Sequence, residues 1–200
     1  MLALAAFAVG TAGNAVKALP QFVRTALRGQ VAGLSPTAVW LTFTANVLWL
    51  CFGLAIQDVA FVALGFVQTV LAAATLGSWA RRTGWSLSSR PAAVALPACA
   101  TFVVLAATGA DLVLETLGAL LGVVIGAPQL LYLWRRRRQA IDVSGVAPAE
   151  FVIVIAAQVG WTTYWLLTGH PVAAAGAAWG GAARAATLVL LRRQVRLADA

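Results

Sequence analysis

Acidic residues are what this chain most lacks: its 200 residues carry six Asp and Glu against fourteen Lys and Arg, with one histidine and two cysteines. His170 stands in a turn with Gly169 and Pro171 and has no second histidine, cysteine or close carboxylate in sequence, so a metal site is not expected. No nucleophile, base and orienting group fall at a recognisable spacing, and the chain does not read as an enzyme. Glycine-rich phosphate loops are missing too, which argues against ATP-driven transport by this chain alone; no cofactor is expected. Cys51 and Cys99 both lie inside apolar runs, where they read as packing residues rather than as a disulfide or a redox pair. Charged residues of all kinds make up only 10%, and no stretch has the composition of a soluble domain.

What fills the chain instead is apolar: 62% of residues are hydrophobic and the mean hydropathy is +0.88, the composition of an integral membrane protein. The formal net charge of +8 does not point to nucleic acid, because the arginines sit between apolar runs, where they meet lipid headgroups. A spanning helix needs about 20 apolar residues. Seven runs qualify, over Leu2 to Val23, Pro36 to Ile56, Val59 to Trp79, Ala92 to Thr108, Leu112 to Trp134, Ala149 to Leu167 and Val172 to Leu191. Met1 to Ala15 has the small residues of a secretory signal but no basic leader, and its run continues into Arg24, so it reads as the first span.

The cations set the expected topology. Arg24 and Arg28, Arg81, Arg82 and Arg90, Arg135 to Arg138, and Arg192, Arg193 and Arg196 all fall on one side, while the opposite turns hold Asp58, Asp111, Glu115 and His170. The positive-inside rule then puts the N-terminus outside and the C-terminus in the cytoplasm. Short loops and an Ala-, Gly- and Arg-rich composition point to a bacterial plasma membrane.

The chain also repeats itself. Pro20-Gln21 returns as Pro128-Gln129, Gly33-Leu34-Ser35-Pro36 as Gly145-Val146-Ala147-Pro148, and the stretch from Ala45 to Trp49 as Ala157 to Trp161. A proline in a membrane helix frees a carbonyl that a cavity, a neighbouring helix or a polar side chain must satisfy, and the adjacent glutamine is a candidate. The expected fold is therefore all-α: two parallel three-helix bundles joined by a linker helix, a 3+1+3 plan. The first bundle covers residues 1–82, the linker 83–110, and the second bundle with the tail 111–200. Two hinged bundles around a cavity are the arrangement of a transporter built from repeats.

Pro-Gln near the end of a first helix, the Gly-hydrophobic-Ser/Ala-Pro turn, a second helix carrying Trp and the odd linker helix together resemble the PQ-loop superfamily, whose members include SWEET and SemiSWEET sugar transporters, lysosomal amino-acid exporters and the KDEL receptor. The resemblance covers nearly the whole chain. It implies that Pro20 and Pro128 are hinges, with Gln21 and Gln129 helping to hold the bundles. It also implies that Trp49 and Trp161 line a sugar pocket, that Phe52 and Tyr164 stand at the outer gate, and that Asp58 is the outer-gate acid, replaced by His170 in the second repeat. The chain departs from SemiSWEETs where a third-helix asparagine pairs with the tryptophan: Gly65 and Ala177 stand there. Asn46 and Gln158, one turn before the tryptophans, or Gln68, one turn beyond Gly65, are the amides left for that work.

Two readings stay open for the buried charges. Lys17 and Arg184 either snorkel to the cytoplasmic interface or face the cavity and bind an anionic group. Asp111, Glu115 and Glu150 read as carboxylates at helix starts, and Trp79, Trp85 and Trp134 as belt residues beside arginines. Trp179, among Gly176, Gly180 and Gly181, reads as a mark of close packing. With no acid expected deep in the membrane, facilitated diffusion is favoured over proton symport. The function expected is alternating-access transport of a small polar solute, a sugar first and an amino acid or carboxylate second, with membrane lipid as the other partner. Two bundles in one chain make an oligomer possible but not required. The competing reading is a sorting receptor on the same fold, with the Arg135 to Arg138 run as its binding surface.

Overall fold

The computed structural model describes residues 1–84, 90–139, 141–169 and 171–198, which leaves His170 and Trp85 outside the described residues. Among these, every regular element is helical, and seven helices are long and apolar enough to cross a membrane. They are α1 (Leu2–Leu27), α2 (Pro36–Ala55), α3 (Val59–Thr83), α4 (Arg90–Ala107), α5 (Asp111–Arg135), α6 (Pro148–Leu167) and α7 (Pro171–Ala198). Local chemistry explains their starts. Ser35 accepts from the Ala38 N–H and Pro36 follows at the first helical position. The Phe61 N–H bonds Asp58 Oδ1 at 3.0 Å at the start of α3. No side chain caps α5, so Asp111 acts there only as a carboxylate in the first turn, favourable to the helix dipole.

Two helices run past their apolar stretch. α3 continues to Thr83 and α7 to Ala198, because arginine is a good helix former and cations suit a helix C-terminus. Trp79 therefore does not lie in the interface as its arginine neighbours suggested. It is 2% exposed and packs with Val39, Trp40, Leu76, Ala92 and Ala95. Trp134 does lie outside, 52% exposed, with the Arg137 guanidinium 4.2 Å from its ring centre. Trp179 is exposed as well, and the close packing nearby is made by Gly180 and Gly181 against Gln158.

Both Pro-Gln helices are interrupted. α1 is regular over Leu2–Val16, loosens at Lys17 and Ala18, resumes over Leu19–Phe22 and closes in a wide turn over Val23–Leu27. α5 is regular over Asp111–Val124, loosens at Ile125 and Gly126, and resumes over Ala127–Arg135. Pro20 and Pro128 each stand in the first turn of the resumed segment, where a missing N–H costs least. A third proline, Pro97, lies inside α4.

α3 touches both α1 and α2, and α7 touches both α5 and α6, while α1 lies along α6, α2 meets α5, and α4 leans on α2 and α5. Lipid offers no hydrophobic drive for helices to meet, so close approach rests on small residues. The α1–α6 seam has them: a Cβ on Gly160 would fall 2.7 Å from the Gly10 nitrogen, and one on Gly13 would fall 2.7 Å from Ala157 Cβ.

Candidate functional site

The turns before α2 and α6 meet at the end of the molecule that carries Arg24, Arg81 and Arg135, called here the basic end. Gly145 N–H bonds the Ala32 carbonyl at 2.9 Å, and a Cβ on Gly145 would lie 2.4 Å from the Val31 carbonyl carbon, so only glycine fits. Each glutamine of the Pro-Gln pairs reaches across to the other half. Gln21 donates to the Gly145 carbonyl at 2.7 Å and accepts from the Ala147 N–H at 3.1 Å. Gln129 donates to the Gly33 carbonyl at 3.0 Å and accepts from the Ser35 N–H at 2.9 Å. Neither amide returns to its own helix's freed carbonyl; both bond the opposite turn, and Gln21 also donates to the Thr25 hydroxyl oxygen at 2.7 Å. Arg24 adds two bonds, to the Ser144 and Val146 carbonyls, at 2.5 and 3.1 Å. Below them Asp142 accepts from the Ser144 N–H at 2.8 Å, and this bond with the Ser144 hydroxyl holds its carboxyl below the usual range.

Beneath this clasp is a cavity of about 70 Å³. Gln21 and Gln129 close its top, and Lys17 (α1), Glu150 (α6) and Arg184 (α7) line one side. Thr42, Asn46, Gln68 and Thr75, from α2 and α3, line the other. Lys17 and Arg184 thus both face the cavity. Glu150, which the sequence offers only as a helix start, stands with them, so an acid does lie inside the helical assembly and the ground for disfavouring proton coupling falls. The three charges act on one another electrostatically. Among the described residues, none of their side chains forms a hydrogen bond or an ion pair with the protein, and the Arg184 guanidinium carbon also stands 5.5 Å from the centre of the Phe151 ring.

The two sides are unequal by sequence. With the repeats aligned on the Pro-Gln pairs and the Gly turns, Lys17 falls opposite Ile125, Glu150 opposite Ala38 and Arg184 opposite Ala72. Charge gathers on the α1, α6 and α7 side, and amides and hydroxyls on the α2 and α3 side. Of those, Asn46 donates to the Thr42 carbonyl at 3.0 Å. Gln68 donates to the Asn14 and Ala15 carbonyls just where α1 loosens, and its Oε1 is buried with no partner.

Other sequence-derived candidates lie elsewhere. Trp161 rests on Gly10, where a Cβ would come within 2.9 Å of its ring, and Trp49 rests in the same way on Gly118. Both tryptophans plug the contact between halves rather than line the cavity, and the Trp161 Nε1 is buried without a partner. Gln158 packs on Gly180 and Gly181. Phe52 stacks edge-on with Trp49 and Phe61, and Tyr164 edge-on with Trp161 and Trp165 and tilted against Phe7, so two aromatic clusters occupy the end opposite the clasp. Asp58 is exposed at that end. Comparison with protein-family models, with curated proteins and with solved structures finds no match.

Proposed function

We propose that this protein is an integral membrane transporter of the PQ-loop kind, in which α1–α3 and α5–α7 are two parallel three-helix units joined by α4, moving a small polar solute by alternating access. The observation that carries this reading is the cavity between the units, lined by three charged side chains, Lys17, Glu150 and Arg184, that form no hydrogen bond or ion pair among the described residues. A charge held within a membrane protein is costly, and such groups are kept where a partner charge, a ligand or water meets them. The crossed contacts of α1 with α6 and of α2 with α5 support the two-unit plan, and the paired interruptions at Pro20 and Pro128 supply the places to bend. The basic end, taken as cytoplasmic from its arginines, is shut by the two glutamine clasps; the aromatic clusters fill the other end.

A sugar, the first substrate expectation, draws less support than a charged solute. Its proposed platforms, Trp49 and Trp161, lie off the cavity, whereas charged side chains line it. The test of the transport reading is counterflow uptake into liposomes holding the purified protein, with labelled sugars, amino acids and carboxylates. Uptake of one class that exceeds empty liposomes is expected; absence of any flux in folded protein would move the assignment to a receptor.

A further inference from the structure

The chemistry of the cavity restricts its occupant beyond polarity and size. Lys17 and Arg184 bring two positive charges and Glu150 one negative, so the empty site holds a formal excess of one positive charge inside a low-dielectric assembly. A neutral sugar or a zwitterion leaves that excess in place. A monoanion removes it. Arginine and lysine together suit a carboxylate, the first by its planar fork of donors and the second as a mobile point charge. Across the cavity, Gln68 is 3% exposed, both its donors are spent on α1 carbonyls, and its Oε1 waits for a donor. Thr42, Thr75 and Asn46 stand on that same neutral side.

We infer that the cavity binds a small hydroxycarboxylate anion, its carboxylate held between Lys17 and Arg184 and its hydroxyl end directed to the Gln68 side. This rests on the transport reading of the same cavity but is testable apart from it. Glu150 faces the same two cations; it keeps the empty site from carrying the full repulsion of a Lys–Arg pair, and gives up part of that role when the anion enters.

The experiment is calorimetric titration of the purified full-length protein with D-glycerate, propionate, glycerol, L-serine and D-glucose, alongside counterflow of the same five in liposomes. Glycerate is expected to bind. Propionate, which lacks hydroxyls, should bind about tenfold more weakly, the scale of one hydrogen bond to a buried acceptor. Glycerol, which lacks the carboxylate, and glucose should bind at least about a hundredfold more weakly, and serine, whose ammonium cancels its charge, at least about tenfold. Glucose or glycerol matching glycerate, serine matching it, or no glycerate binding by protein with intact helicity and a cooperative melt, would each overturn the inference. Glycerate binding without flux would support the anion site and sink the transport reading; glucose flux without glycerate binding would do the reverse. Arg184→Gln should lose glycerate affinity at least tenfold while Arg184→Lys keeps most of it, a contrast that a merely structural arginine would not give.

Discussion

Glu150 lies in the first turn of α6, near the turn that Gln21 clasps, and its carboxylate shares the cavity with two cations that belong to α1 and α7. If the cavity binds an anion as inferred, the Glu150 charge has opposite effects on the two states of the site. Without solute it offsets part of the Lys17 and Arg184 repulsion; with an anion bound it repels the newcomer. Glu150→Gln is therefore expected to raise affinity for the anion by about tenfold, near 1.4 kcal/mol, and to slow counterflow because release becomes the harder step. Equilibrium titration and initial uptake rates separate these. A variant that loses both affinity and rate would show instead that the carboxylate holds the cations in place. At the same scale, Gly145→Val should fail to assemble the clasp, since a Cβ there meets the Val31 and Ala32 backbone, which has no room to move. Loss of several degrees in melting temperature is the expected reading; an unchanged melt would mean that the turns separate freely.

At the scale of the elements, α1 and α5 are the parts that would change shape under the transport proposal. Each is a long regular segment, a loosened step and a short resumed one led by proline. The glutamine after each proline ties the resumed segment to the opposite turn through two hydrogen bonds, each adding about 0.5–1.5 kcal/mol net. Gln21→Ala or Gln129→Ala should thus open the basic end without unfolding the helices. A cysteine at Ala32 should react faster with a membrane-impermeant maleimide in either variant, by about five- to thirtyfold if one clasp of roughly 1–2 kcal/mol is lost. Equal labelling rates would mean that the backbone contact of Gly145 with Ala32 is enough to hold the turns. The interruptions themselves were legible from the sequence, since the recurrence of Pro-Gln in an apolar run marks where a helix must loosen. What the amides hold was not. Local chemistry offered Gln21 and Gln129 a nearby freed carbonyl, and only packing of the two turns presents the better pair of partners. Glu150 escaped for a related reason: a carboxylate in a first turn already has a sufficient local explanation, and the cations that share its cavity lie far away in the chain. Trp79 was misread because two arginines follow it, although its ring turns inward onto Trp40.

For the whole molecule, seven membrane-crossing lengths, short turns and arginines at one end were all readable from hydropathy and charge, whereas the unequal distribution of charge across the cavity was not. It arises because α1 lies along α6 as well as touching α3, which brings Lys17 to Glu150 and Arg184. Under the transport proposal, the same contact means that opening either end would move α1–α3 against α5–α7. At the basic end the two turns touch, backbone to backbone. Cysteines at Ala32 and Ser144, in protein whose Cys51 and Cys99 are replaced by Ala, should be joined by a short reducible bis-thiosulfonate reagent. Cross-linking should abolish flux while leaving the fold intact, and reduction should restore it, because the solute then has only one exit. Substrate binding from the opposite side should survive the cross-link, since the cavity and its charges lie below the clasp. Flux that continues in fully cross-linked protein would mean that the turns do not part during the cycle, and the two-unit rocking motion would have to be given up even if the anion site stands.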